Sequence, residues 1–376
     1  MIVAIKSWDH RRRSSYSVAK LEEPKGLQNM NSVERVHTAL RLGVPDRVPV
    51  LELSFNERVA RAMWPDSQDV ADCMDRLDLD GVGCTACFKT VGHNSDGSYV
   101  DEWGVTYFPT IEAAAHPVRG PIVTLEDARA WTPPDPNAPW RLGKLPELVA
   151  RYKGKRAIMF HHRAAFMWSA GLMGLDKILM NFLAEPDLVE LVMDKVLQCS
   201  MQIARLAIRA GAEIVGLGDD YAGNNGPMMS PRLFRQFILP RLKKMVDLIH
   251  EEGALCIKHT DGNIYPLLDM IISAEPDGLN PIEPVAGMQL KRVKELVGDK
   301  VCILGNIDCA HLLPHGTPEE VREAVRRAIA DAASGGGYIL TSSNSIHSGC
   351  DPQNVIAMVR AGHEFGQYPL RRDLQS

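Results

Sequence analysis

The sequence predicts an α/β chain folded as a single (β/α)8 TIM barrel, and three observations predict it. Eight short β-type runs alternate with longer helical runs, the pattern of parallel βα units. Several of the helical runs carry clear start and stop signals, and no second domain is set off from the rest. The strands are expected near Val48–Leu53, Gly81–Thr85, Ala157–His161, Glu213–Gly218, Ala254–His259, Gly278–Ile282, Val301–Asn306 and Tyr338–Ser342. The barrel is expected to occupy residues 30–372, with an insertion between its second and third strands.

Taken in order, residues 1–29 are polar and aperiodic and read as a disordered N-terminal extension outside the fold. Met30 opens a helical pattern that leads into the first strand. Between strands two and three, Ser98–Trp140 holds Trp103, Tyr107, Phe108, Trp131 and Trp140 among several prolines. A β-hairpin near Tyr99–Pro109 is expected there, with an irregular excursion covering the barrel mouth. Pro186–Ala210 reads as one long amphipathic helix closed by Gly211. Ser230-Pro231 supplies an N-cap and a proline at the first helical position, where its missing N–H costs nothing. Leu233, Phe237, Leu242, Met245 and Ile249 follow at helical spacing, and Gly253 ends the run. Thr317-Pro318-Glu319-Glu320 is a capping box, and Asp351-Pro352 opens the last helix.

Composition excludes several classes of function. The chain has 376 residues, 45% of them hydrophobic and 24% charged, as in ordinary globular proteins. A net charge of -5 leaves no electrostatic footprint for nucleic acid. No apolar run approaches the roughly 18 residues of a membrane span, and none follows the basic Arg11-Arg12-Arg13 to make an export signal. Eight cysteines without framework spacing are expected to be reduced thiols in a cytoplasm.

Side chains at the C-terminal ends of barrel strands form the active site, so the strand list becomes a list of candidates. In strand order the ends offer Glu52, Cys84 and Cys87, His161 and His162, Asp219 and Asp220, and His259 and Asp261. The last three strands add Asn280 and Glu283, Asn306 and Asp308, and Ser342, Ser343 and Asn344. Carboxylates, imidazoles and amides of this kind suit a metal ion or proton transfer better than a polyphosphate. His259-Thr260-Asp261-Gly262-Asn263 is the sharpest local signal. An imidazole and a carboxylate two positions apart, before a glycine turn, can reach one zinc ion, with a third ligand from another strand. Equally, His259 can bond a neighbouring strand end while Asp261 caps a helix.

Strand alternation sends Cys256 to the face opposite His259, into the core. Cys84-x-x-Cys87 lacks a second pair and reads as packing, and Cys350 lies in the loop after the last strand. Of Asp219 and Asp220, an acid/base pair, alternation admits at most one to the site. Of His161 and His162, the second lies nearer the loop and is the one expected to look inward. No nucleophile elbow, Walker loop or Gly-x-Gly-x-x-Gly fingerprint occurs in a fitting context.

Several of these segments resemble the uroporphyrinogen-decarboxylase superfamily. They are Asn31–Val50, Gly218–Pro240, Lys258–Asn263, Gly305–Asp308 and Ser342–Asn354, in matching order over about residues 30–370. The resemblance implies one of two chemistries: cofactor-free decarboxylation of uroporphyrinogen, or zinc-dependent methyl transfer with a corrinoid carried on a separate protein. The decarboxylase branch has an Arg-Gln-Ala-Gly-Arg segment after the first strand, Ser-Asp-Ile after the second and a histidine near the end of the eighth. Here those places hold Leu53-Ser54-Phe55-Asn56-Glu57, Cys84-Thr85-Ala86-Cys87-Phe88 and Asn344. Without the arginines, a polyanionic tetrapyrrole would be left unpaired, at a cost of several kcal/mol.

The methyltransferase branch shows His-x-Cys-Gly after strand five and a second cysteine after strand eight, both binding zinc. His259 matches the first ligand, whereas Asp261 and Asn344 stand where the cysteines are expected. An oxygen-rich site suits a Lewis acid acting on an ether, hydroxyl or amine leaving group rather than on a thiol. The resemblance therefore implies a corrinoid-linked methyltransferase for an aryl methyl ether or methylamine. Zinc would sit on His259 and Asp261, with Glu52, Cys84 or Glu283 as a further ligand. Asp219 or His162 would supply the leaving group's proton, and Asn344 would stand beside them. The chain lacks the Asp-x-His-x-x-Gly signature of a corrinoid domain, so the carrier is expected to be a separate partner. A cofactor-free decarboxylase of a smaller acid, using Asp219 or Asp220, is the rival, and a binding barrel without chemistry is the third reading.

Overall fold

The computed structural model of the protein describes residues 29–112 and 115–374. Of the expected N-terminal extension, residues 1–28 lie outside the described residues. The strands in chain order are β1 Gly81–Thr85, β2 Thr90–His93, β3 Tyr99–Asp101, β4 Thr106–Tyr107, β5 Pro117–Arg119, β6 Ala157–His162 and β7 Ile214–Gly218. They continue as β8 Ala222–Gly223, β9 Gly226–Pro227, β10 Leu255–His259, β11 Gly278–Asn280, β12 Cys302–Ile307 and β13 Tyr338–Ser342. One parallel sheet runs in the order β1-β6-β7-β10-β11-β12-β13, with helices between successive strands.

The segment expected as the first strand, Val48–Leu53, is not a regular strand. It bridges the two edges of the sheet instead: Leu340 donates to the Pro49 carbonyl (2.9 Å), Leu51 to that of Leu340 (3.0 Å), and Asp80 to that of Val50 (2.8 Å). Pro49 has no N–H to give, which breaks the ladder at that point.

Pleat alternation divides the sheet's apolar residues between two cores. Leu51, Ala157, Met159, Ile214, Ile257, Cys302, Leu304 and Ile339 cluster on the inner face, together with Val36, Ala39 and Leu40 of the helix Ser32–Leu40. That helix closes the N-terminal end. It is anchored by a buried ionic network, in which Asp80 takes Arg35 (2.6 Å), Arg47 (2.8 Å) and the Val50 amide (2.9 Å). Outward residues such as Val82, Phe160, Val215 and Leu279 join the larger core beneath the helices.

Between β1 and β6 the expected hairpin forms from β3 and β4, and β2 and β5 extend it to four antiparallel strands. Trp103 is fully buried there and stacks on Trp168 at 4.8 Å and Trp131 at 6.0 Å. The helix expected to run on from Pro231 is interrupted by a π-type segment, Phe234–Ile238, before Leu239–Glu251. Pro240 cannot donate to the carbonyl four residues back, so the turn before it widens. Among the described residues, no helix is long and apolar enough to cross a membrane.

Candidate metal centre

β10 ends on His259, whose register partners are Gly218 of β7 and Asn280 of β11. The imidazole Nδ1 lies 2.6 Å from Asn280 Oδ1, and Asn280 Nδ2 donates in turn to Thr341 Oγ1 at 3.1 Å. With Nδ1–H donating to Asn280, the Nε2 lone pair is free and its direction fixed. Nε2 lies 3.4 Å from Asp261 Oδ1 and 3.8 Å from Asp220 Oδ1. Asp220 also accepts the Asp261 amide (3.1 Å), and Asn344 Nδ2 donates to Asp261 Oδ2 at 2.5 Å. Asp261 Oδ1 is buried and has no hydrogen-bond partner.

Burial, with Asp220 and Glu283 nearby, raises the Asp261 carboxyl to about 6 against the pull of His259. The turn that presents Asp261 depends on Gly262, at φ +85°, where a Cβ would fall 2.5 Å from the Ala222 carbonyl carbon.

Among the described residues, Asp220, His259 and Asp261 form the one group of three that could hold a metal ion, their ligand atoms lying within 4.8 Å of one another. The donors fit zinc. Tetrahedral ligands at about 2.1 Å from the ion stand about 3.4 Å apart, close to the two spacings from His259 Nε2, and the unpartnered Asp261 Oδ1 is available as a donor.

The other expected site residues are placed differently. Glu52 faces the helices, fully buried, with its carboxylate on the Ser342 amide and hydroxyl (2.7 Å each); burial pushes it up to about 8, and it does not join the triad. Asp219 points outward as well. It accepts the amides of Ala164 (2.7 Å) and Met167 (2.8 Å) at the start of the helix Phe166–Met173. His162 lies 3.1 Å from the Ser200 carbonyl in the helical layer, so it is His161 that looks inward, contrary to the sequence expectation. Burial and the neighbouring His259 lower the His161 pKa to about 4. Glu283 accepts the Gly262 amide (2.7 Å), and Cys256 and Cys350 are buried thiols. Cys84 shares the outward parity of Val82, its thiol pushed up to about 12 by burial.

Two residues escaped sequence reasoning. Lys258 is fully buried behind the site, and its Nζ reaches the carbonyls of Leu217 (3.2 Å), Asp219 (2.6 Å) and His259, tying together the ends of β7 and β10. A lysine inside an apolar strand was the available signal. Arg163, directly after the two histidines, is the other.

Comparisons with known proteins bear on this geometry. A family model described as uroporphyrinogen decarboxylase (URO-D) matches residues 108–365. The uroporphyrinogen decarboxylases of Pseudoalteromonas translucida and Aeromonas salmonicida are 29% and 30% identical over 196 and 192 residues, each match covering 50% of this chain and 52% of theirs. The chain thus spans about half the length of these curated relatives. A methylated-thiol–coenzyme M methyltransferase of Methanosarcina mazei is 26% identical over 253 residues, covering 66% of this chain and 65% of that one. Among solved structures, a methyltransferase from Methanosarcina mazei superimposes with a TM-score of 0.75 at 20% identity, over 90% of this chain and 99% of that one, which supports the fold.

Proposed function

Because the chain belongs to the uroporphyrinogen decarboxylase family, we propose that it is a metal-assisted methyltransferase, moving a methyl group between a small methylated substrate and a corrinoid held by a separate protein. We read the fold as an eight-stave barrel, residues 49–51 serving as one stave and the antiparallel sheet as an insertion. The observation that carries the function is the convergence of His259 Nε2, Asp220 and Asp261 on one point, with Asp261 Oδ1 left unpartnered. The kinship with a methyltransferase over two thirds of the chain supports the same reading.

His259, Asp220 and Asp261 would hold zinc and leave a fourth position for the substrate's ether oxygen or amine nitrogen. When bound, the ion supplies Lewis acidity to the heteroatom that parts from the methyl group, while the partner's corrinoid takes up the methyl. The chain's own residues prepare the site. Thr341 orients Asn280, Asn280 fixes the His259 tautomer, and Asn344 holds the Asp261 carboxylate. The apolar inner core and the helix Ser32–Leu40 pack beneath the site. Neither Asp219 nor His162 reaches the mouth, so neither delivers the leaving group's proton, and Asp220 serves the metal rather than proton transfer.

Zinc analysis of the purified protein and of His259→Ala tests the reading. About one zinc per chain, lost in the variant, is expected; a wild-type chain that takes up no zinc overturns it. One observation favours a second reading. The uroporphyrinogen decarboxylases that match half of the chain support a cofactor-free decarboxylase of a small acid, with Asp220 as its proton donor. The same metal analysis separates the two.

A further inference from the structure

Arg163 stands at the lip of the mouth, one residue past β6, half-buried, with its guanidinium over the Trp168 ring at 5.1 Å. It makes no hydrogen bond or ion pair with any described residue. The protein's other enclosed arginines behave otherwise: Arg35, Arg47, Arg141, Arg156 and Arg241 each end on a carboxylate. A half-enclosed cation without a counter-charge is costly unless a ligand supplies one. The segment is not a loose loop, because Asp219 fixes the amides of Ala164 and Met167 on either side of the turn.

Two residues earlier on the same strand, His161 faces the barrel interior. Its Nε2 is buried without a partner. The ring occupies space left by glycines on both neighbouring strands: a Cβ at Gly83 would come within 2.5 Å of Nε2, and one at Gly216 within 3.0 Å of Nδ1. An unsatisfied imidazole and an unsatisfied guanidinium thus rise along one stave, His161 at the floor and Arg163 at the lip.

We propose that the substrate carries a carboxylate, seated against Arg163. This rests on the methyl-transfer reading above, because it sets the methyl-bearing heteroatom at the triad. Electrostatics orients the molecule. Asp220, Asp261 and Glu283 repel an anion from the triad side, and a divalent ion there does no more than neutralise two of them. β6 and β10 are separated by β7, two inter-strand spacings or roughly 10 Å. That span suits a single substituted aromatic ring or a short amino-acid chain.

The test measures binding to zinc-loaded protein by calorimetry, with matched probes: methoxybenzoates and N-methylated amino acids against their carboxamides. A charge-assisted pair to arginine gives the acids an advantage of about ten-fold or more over the amides. Arg163→Gln removes that advantage, and Arg163→Lys, which keeps the charge, retains part of it. Equal binding of acid and amide, an acid preference that survives in R163Q, or no binding of any acid at millimolar concentration each overturns the proposal. Zinc uptake by wild type and R163Q, measured alongside, keeps the two readings apart. A protein that takes no zinc refutes the triad, whereas a zinc-binding protein indifferent to acids refutes Arg163 alone.

Discussion

Glu52→Gln is expected to make the protein more stable at neutral pH, although it alters a buried residue at the rim. Glu52 is enclosed on the outward face of its segment, where its carboxyl meets the Ser342 amide and hydroxyl but no cation. Desolvation therefore outweighs the two hydrogen bonds and raises the group from 4.5 to about 8. Below pH 4.5 both the native and the unfolded chain hold the proton, and the group costs nothing. As pH rises past 4.5 the unfolded chain loses the proton while the native one keeps it, and each pH unit lowers native stability by about 1.4 kcal/mol. At pH 7 the accumulated loss is about 3 kcal/mol, and it levels off above about pH 8.

Glutamine reproduces the protonated carboxyl, with an oxygen for the Ser342 amide and an N–H for its hydroxyl, and cannot ionise. Urea unfolding followed by tryptophan fluorescence, from roughly pH 4.5 to 8.5, would show E52Q gaining on the wild type as pH rises. A stability difference that stays flat with pH, or an E52Q less stable than wild type at neutral pH, refutes the reasoning. The variant should also keep its zinc, because Glu52 lies outside the triad.

Asn280→Leu removes the acceptor that fixes the His259 tautomer and should weaken zinc binding about 10–100-fold, as measured by competition with a chelator. Unchanged affinity would show that the Asn280 bond has no part in the centre. Asp80→Ala leaves the buried Arg47 guanidinium with only the exposed Asp78 at 3.7 Å, while Arg35 keeps Asp46, and should cost about 3–5 kcal/mol in denaturant unfolding, with zinc stoichiometry intact in the folded fraction. A loss below about 1 kcal/mol would mean that the network is not what holds the helix Ser32–Leu40 in place.

Legibility differed between the fold and the site for physical reasons. Capping boxes and prolines at helix starts act within one turn of chain. The starts at Pro231, Pro318 and Pro352 therefore stand where Ser230, Thr317 and Asp351 predicted them. Seven of the eight predicted strands fall within a few residues of their observed bounds, because a short apolar run between turn signals has few other uses. The remaining segment, Val48–Leu53, has the apolar run of a strand but forms only isolated bridges, because its backbone ladder is interrupted at Pro49.

What the sequence by itself determined was therefore local: the order of βα units, the caps, and the two-residue interval joining His259 to Asp261. What only the tertiary structure decided was facing. A strand such as β6 is buried on both sides, so its hydrophobicity has no period from which to tell His161 from His162. The same ambiguity hid the outward turn of Glu52 and Asp219. Asp220 and Asn280 reach His259 and Asp261 from the two strands that flank β10, and Asn344 from the end of β13, three strands away, through the curl of the sheet. No spacing along the chain encodes that curl, because it is a property of the whole sheet.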